Sequence, residues 1–267
     1  MGIYNFCLIG NPVVHSLSPK IHNYFIFKTK LNAGYVAFQV NEGYFTEFIS
    51  FLKENVNGFN VTLPYKEKIF NYLDDLDKDA KEIKAVNCVL IRNGKMIGYN
   101  TDYYGIMKTF EDYNVDIAGK DIVVLGCGGA AKPLLKFLKN GRYRSLKIFN
   151  RTVEKAEKVI DDFCLNNVEV NSLLDLQNLR VCDIMINTTS IGLETGEFVD
   201  LNVNVKEFAF DMQYNLKELT PFLKKVKGCK KSDGLNMLIY QAKKSFDIWT
   251  NTCYNFDIND IKKHLEG

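Results

Sequence analysis

The stretch Asn60-Val61-Thr62-Leu63-Pro64-Tyr65-Lys66 carries an apolar run into a Leu-Pro pair and presents a tyrosine and a lysine beyond it. A lysine at the carboxyl end of a strand differs in meaning from one on a solvated helix, because ligands of open α/β sheets collect at that edge. Two more polar residues stand in comparable places: Asn87 in Ala85-Val86-Asn87, and Asp102 closing Gly98-Tyr99-Asn100-Thr101-Asp102. Whether Lys66 is one of many solvated lysines or is held at a strand end to do chemistry is the question this stretch raises. Taken singly, Lys66 also fits a solvated lysine at the start of a helix, Asn87 a turn, and Asp102 the N-cap of a helix through Phe110.

A second group of residues is built for a phosphate. Gly126-Cys127-Gly128-Gly129-Ala130-Ala131 follows the β-branched run Ile122-Val123-Val124-Leu125 and leads into a helical stretch ending near Asn140. Strand, G-x-G-x-x-A and helix is the context in which a dinucleotide pyrophosphate rests on backbone amides at a helix N-terminus. A Gly-rich turn in another α/β protein gives the same local pattern, so the next strand end discriminates. An acid there would hold the ribose of NAD, whereas a basic residue accommodates the 2′-phosphate of NADP. This chain places Asn150-Arg151-Thr152 there, with Lys155 one helical turn on, and offers no acid. Asn187-Thr188-Thr189-Ser190-Ile191-Gly192 closes a later strand with hydroxyls that would face the same crevice.

The elements that must position these residues alternate. Apolar runs at residues 3–9, 35–40 and 58–62 are separated by helical stretches at about 18–30 and 44–54, with Ser18 as N-cap and Pro19 at the first helical position. Strand, helix, strand, helix, strand predicts a parallel α/β unit. Residues 86–91 and 95–99, joined at Arg92-Asn93-Gly94, predict a hairpin. The alternation restarts at Lys120, with strands at 120–125, 146–149, 182–187 and 208–210 and a helix from Val153. Near the C-terminus, Gly234, Met237 and Gln241 share one helical face, while Leu238, Ala242, Ser245 and Trp249 share another.

With 267 residues, 46% hydrophobic and 25% charged, the chain has enough material for two modest domains with their own cores. Thirty-four basic and thirty-two acidic residues are interspersed, which excludes a basic stripe for nucleic acid or a membrane surface and leaves a small molecule as partner. Seven cysteines without a C-x-x-C pair, and three histidines, give neither a disulfide framework nor a metal site. The N-terminus reads as a strand rather than a signal peptide, so a reducing cytoplasm is expected. Cys88 and Cys127 read as buried structural thiols, and His15 as a hydrogen-bonded loop histidine.

Gly10-Asn11-Pro12 with His15-Ser16-Leu17-Ser18-Pro19, the segment ending at Lys66, Ala85-Val86-Asn87, Asn100-Thr101-Asp102, the Gly126 loop, Asn150-Arg151-Thr152, and Asp233-Gly234 with Met237-Leu238 and Gln241 form one collinear set. Together, over nearly the whole chain, they resemble the shikimate dehydrogenases. The resemblance implies an N-terminal α/β substrate domain with a mainly parallel sheet, residues 1–102 completed by 236–267, and a Rossmann domain for NADP, residues 103–235, with a cleft between them. Lys66 and Asp102 would be the catalytic dyad. Ser16 and Ser18 would bind the substrate carboxylate, Thr62, Asn87, Asp102 and Gln241 the ring hydroxyls, and Tyr214 would lie nearby. The cofactor would be held by Gly126, Gly128, Gly129, Ala130, Asn150, Arg151, Thr152, Lys155, Thr188, Ser190, Met212 and Gly234.

The implied reaction is reversible reduction of 3-dehydroshikimate by NADPH to shikimate, a step toward chorismate and the aromatic amino acids, in a monomer or homodimer. A quinate/shikimate dehydrogenase using NAD or NADP is the rival within the class, and a non-catalytic ligand or NADP sensor the rival outside it. The chain departs from the family pattern at Lys84, where glycine is usual, at Cys88 in place of threonine, and at Asn236 and Tyr240 in place of small residues.

Overall fold

Both alternating sets of side chains are apolar along β1 (Tyr4–Gly10), so neither face of this strand can be left to water. The computed structural model describes residues 2–266, and the chain divides into two units. One comprises residues up to Gly105 and from Leu238 onward; the other is Ile106–Met237.

In the first unit β1 is followed by α1 (Ser18–Thr29), β2 (Ala33–Gln39), α2 (Phe45–Asn55), β3 (Gly58–Val61), β4 (Asp75–Leu76), α3 (Lys78–Ile83), β5 (Cys88–Arg92) and β6 (Lys95–Tyr99). The strands form one sheet in the order β2-β1-β3-β5-β6-β4. β1 runs parallel to β2 and β3, and β4 parallel to β6. The hairpin of β5 and β6, joined at Asn93-Gly94, enters antiparallel beside β3. The sheet is therefore mixed rather than wholly parallel, because a hairpin reverses direction without a crossover.

Strand alternation sorts the core. Cys7, Ile9, Phe59 and Val61 pack with Phe45, Ile49 and Leu52 of α2. Phe6 instead stacks on Trp249 at 4.8 Å between ring centroids, and the Trp249 indole donates to the Val89 carbonyl at 2.9 Å. Trp249 belongs to α8 (Leu235–Thr250), and α9 (Ile258–Glu266) packs on α1. The C-terminal segment thus completes a core that the N-terminal strands begin.

The second unit receives the chain through α4 (Asp102–Asp112), then runs β7 (Asp121–Leu125), α5 (Lys132–Lys139), β8 (Ser145–Asn150), α6 (Val153–Phe163), β9 (Val168–Ser172), β10 (Val181–Asn187), β11 (Asn204–Asp211), α7 (Pro221–Lys225) and β12 (Lys230–Ser232). All of its strands are parallel, in the order β12-β11-β10-β7-β8-β9. This is the doubly wound Rossmann order, with its switch point between β7 and β10. Ile122 and Val124 face one apolar layer with Leu134, Ile148 and Phe208, while Val123 and Leu125 face another with Met185, Ala209 and Phe222. The short β9 and β12 carry too few apolar residues for a periodic signal and are strands only through their neighbours.

Lys84, at the end of α3, holds φ 56° and ψ 35°, the left-handed conformation in which a helix usually stops at glycine. His22 is fully buried, stacked on Tyr35 at 4.2 Å, and neither ring nitrogen has a hydrogen-bond partner among the described residues. Asn60 lies close enough to favour the charged ring slightly, but burial dominates and pushes its pKa down to about 3.

Lys84→Gly should raise stability by about 1 kcal/mol, read as a shift in the urea midpoint at constant slope. For His22, the unfolded chain takes up a proton as pH falls below 6.5 that the folded chain refuses until about 3. Its stabilising contribution is therefore complete above that window and declines through it on acidification. His22→Phe should flatten the acid limb of a stability profile between those pH values; an unchanged limb would refute the assignment.

Candidate active site

The end of β3, the start of β5 and the first residue of α4 bring a lysine, an asparagine and an aspartate together. Lys66 Nζ lies 2.6 Å from Asp102 Oδ2, with side-chain exposures of 21% and 11%. Asn87 Nδ2 lies 2.9 Å from the other Asp102 oxygen and 2.9 Å from Thr101 Oγ1. The Thr101 amide returns a bond to Asn87 Oδ1 at 2.7 Å. Gln241 Oε1, from α8, approaches Asn87 and Thr101 at 3.3 Å, and its Nε2 donates to the Leu238 carbonyl at 3.0 Å.

The backbone around Lys66 is pinned as well. Its carbonyl accepts from the Val86 amide at 2.9 Å, and Val61 donates to the Asn87 carbonyl at 2.9 Å. Lys66 itself sits in a turn before the 3₁₀ segment Lys68–Tyr72 rather than in a helix. Asp102 is the first helical residue of α4 rather than its cap. That leaves its carboxylate for Lys66 and Asn87.

Deeper residues, which sequence reasoning passed over, carry the network onward. Asn60 Nδ2 donates to the Asn87 carbonyl and to Ser245 Oγ, both at 3.0 Å. Tyr35 donates to Asn60 Oδ1 at 2.9 Å. The available signal was a polar residue flanked by Phe59 and Val61, since a buried amide requires partners.

Ser18 is buried and opens α1, but it is not the N-cap. The N-cap is Leu17, which gives no side-chain cap bond; Ser16 Oγ accepts from the Ser18 amide at 3.2 Å in a local turn, and Pro19 has no amide proton to satisfy. Thr62 is half-buried, its amide donating to the Ile9 carbonyl at 2.9 Å. His15 is exposed and makes no hydrogen bond among the described residues, contrary to expectation. Cys88 and Cys127 are buried, and burial pushes their thiols up to about 12 and about 11, so neither is a nucleophile.

Tyr214 and the glycine loop belong to the second unit. Gly126 holds φ +89°, and a Cβ there would lie 2.7 Å from Thr188 Oγ1. The turn therefore demands glycine on both backbone and steric grounds. Thr188 donates from its amide and hydroxyl to the Leu125 carbonyl at 2.8 and 2.9 Å, so the loops after β7 and β10 meet at the switch point. Gly128 is exposed, with open space where its side chain would be; Gly129 and Ala130 complete the turn before α5.

Asn150 accepts from the Cys127 amide at 3.1 Å and donates to the Thr152 carbonyl at 2.7 Å, bracing the loop against the end of β8. Arg151 and Lys155 are exposed there, and Thr152 takes the N-cap position of α6 without a side-chain cap bond. Ser190 is exposed, Met212 half-buried and Gly234 buried. An uncluttered glycine turn with two free-standing cations at the second strand end fits a dinucleotide bearing an extra phosphate. Among the described residues no group of three or more His, Cys, Asp or Glu could hold a metal, and no helix is long and apolar enough to cross a membrane.

Comparison with known proteins agrees with this architecture. Residues 8–89 match the family model of the shikimate dehydrogenase substrate binding domain, and residues 108–199 that of shikimate / quinate 5-dehydrogenase. A shikimate dehydrogenase (NADP(+)) of Methanococcus aeolicus is 43% identical, over 97% of this chain and 95% of that protein. The shikimate dehydrogenase crystal structure from Aquifex aeolicus is 34% identical with TM-score 0.87, covering 99% of this chain and 98% of that one. The Thermus thermophilus enzyme in complex with NADP(H) and shikimate is 27% identical with TM-score 0.86, covering 98% of each. The chain belongs to the shikimate dehydrogenase family.

Proposed function

We propose that this chain catalyses the reversible reduction of 3-dehydroshikimate to shikimate with NADPH, using Lys66 and Asp102 as the proton-handling pair. It is an oxidoreductase of the shikimate pathway, which leads through chorismate to the aromatic amino acids. The observation that carries the residue assignment is the 2.6 Å contact between Lys66 Nζ and Asp102 Oδ2, with the second carboxylate oxygen already held by Asn87. Such a pair fixes the ammonium group while leaving it further N–H donors for a substrate oxygen.

When bound, NADPH supplies the hydride. Reduction builds negative charge on the ketone oxygen, and Lys66 stabilises it and gives it a proton; in the reverse direction Lys66 takes the proton back. Asp102 orients Lys66 and accepts from a ring hydroxyl. Asn87, Thr62 and Gln241 take further hydroxyls, Ser16 and Ser18 meet the substrate carboxylate near the start of α1, where helix amides favour an anion, and Tyr214 contributes to the same pocket.

On the cofactor side, Gly126, Gly128, Gly129 and Ala130 receive the pyrophosphate, and Arg151 with Lys155, beside Asn150 and Thr152, receives the 2′-phosphate. Thr188, Ser190, Met212 and Gly234 complete the site. Residues 1–102 with 236–267 act as the substrate domain and 103–235 as the cofactor domain. The cysteines are all free, in keeping with a reducing cytoplasm, where the protein acts as a monomer or homodimer.

The test is nicotinamide absorbance with shikimate or quinate and NADP or NAD. Turnover should concentrate on shikimate with NADP, and Lys66→Ala should lower kcat by about 10²- to 10⁴-fold. Near-normal turnover of that variant at saturating substrate would remove Lys66 from the mechanism, and equal rates with quinate or NAD would shift the assignment to the broader dehydrogenase. Arg151→Ala should raise KM for NADP by about tenfold, the scale of one charge-assisted hydrogen bond, and leave KM for NAD within about twofold. Parallel changes with both cofactors would contradict the 2′-phosphate role.

A further inference from the structure

Asp211 and Asn187 end β11 and β10 directly opposite one another, and both are fully buried. The Asp211 carboxylate accepts three bonds. Asn187 Nδ2 and the Gln213 amide reach Oδ1 at 2.9 and 3.0 Å, and Thr220 Oγ1 reaches Oδ2 at 2.5 Å. Asn187 Oδ1 in turn accepts from the Thr189 amide at 3.0 Å and hydroxyl at 2.7 Å. Gln213 Nε2 donates to the carbonyls of Thr189 and Ile191, both at 2.9 Å. One carboxylate therefore fixes two loops, residues 188–191 and 212–213, through Asn187 and Gln213.

The bracing extends to the other segments assigned to the cofactor. Met212 donates to the Asn187 carbonyl at 2.9 Å, and Gly234 donates to the Gln213 carbonyl at 2.8 Å. The Met212 carbonyl occupies the position a side chain on Gly234 would need. Thr188 is seated against Gly126, so the glycine loop shares the same reference point. A buried carboxylate is a costly way to tie loops, since burial pushes Asp211 up to about 6 against the pull of its three donors, with Asp233 adding to the rise. An apolar side chain would fill the space more cheaply but would leave Asn187 and the Gln213 amide unsatisfied.

We propose that Asp211 and Gln213 are positioning residues that set the loops at the carboxyl ends of β10 and β11, and through them the affinity for NADPH, without acting on the substrate. The proposal rests on the NADP-dependent reading above and deepens it. Neither residue is assigned to ligand contact; both act through backbone carbonyls, amides and Asn187.

The experiment compares Asp211→Ala, Asp211→Asn and Gln213→Ala with the wild-type enzyme, recording KM for NADPH, KM for 3-dehydroshikimate and the thermal midpoint. Asp211→Ala and Gln213→Ala should each raise KM for NADPH about tenfold, with KM for 3-dehydroshikimate within about twofold. Asp211→Asn keeps the Oδ1 acceptor and can donate to the Thr220 hydroxyl, so it should restore KM for NADPH to within about threefold of wild type. Gln213 is only half-buried, so Gln213→Ala decides the matter even if Asp211→Ala does not fold. Unchanged KM for NADPH in both alanine variants, or a parallel rise in both KM values, overturns the positioning role while leaving the NADPH-dependent activity intact. A wild-type enzyme that does not turn over NADPH overturns the functional reading itself, and the proposal with it.

Discussion

The ion pair between Lys66 and Asp102, at 2.6 Å and largely shielded from water, is the constraint on which the first unit depends. Two charges taken out of water are tolerated only when geometry is good and the remaining lone pairs are satisfied. Asn87 satisfies the second oxygen of Asp102, and that asparagine is fixed by Thr101 and approached by Gln241. Lys66, Asn87, the Thr101-Asp102 pair and Gln241 come from separate parts of the chain, so the full network exists only once β3, the β5–β6 hairpin, α4 and α8 have assembled. The aromatic layer of Phe6, Tyr35 and Trp249 does that assembling, because burying large rings is the strongest force available to hold α8 on the sheet.

The second unit meets a similar demand with backbone rather than charge. A loop that receives a phosphate must expose amides, and exposed amides must be held still by something other than secondary structure. Here the turn after β7 is braced by Asn150 and seated against Thr188, while Asn187 and Asp211 lock the loops beside it. Hydrogen bonds that leave the sheet at strand ends thus take over where the ladder stops.

Much of this was legible in the residues. The apolar runs, the Asn93-Gly94 hairpin and the strand, G-x-G-x-x-A, helix pattern fixed most elements to within a residue or two, since burial of both sheet faces leaves continuous apolar strands. Local reasoning failed where a polar group had a non-local option. Ser18 has the right type for a cap, yet it is already the first helical residue, and Leu17 takes the N-cap position without a side-chain bond. Nothing in the sequence neighbours of His22 announces that it will be sealed beside Tyr35 and Trp249. Lys84 shows the converse: its departure from the usual glycine was visible in sequence, but only the left-handed backbone at that residue explains the preference.

By itself the sequence determined which residue types stand where ligands of such folds collect: a lysine and an aspartate at element ends, a glycine turn opening a helix, and cations rather than an acid at the end of the next strand. Those are local properties of residue type and spacing, and they persist in any compact arrangement of the same elements. The tertiary structure alone decided that Asn87 would hold Asp102, that Asn60 and Ser245 would meet although 185 positions separate them, and that one buried carboxylate would govern the loops at the ends of β10 and β11. Partners of buried polar groups are chosen by which strands lie side by side, and strand order is set by the packing of the whole unit rather than by any stretch of its sequence.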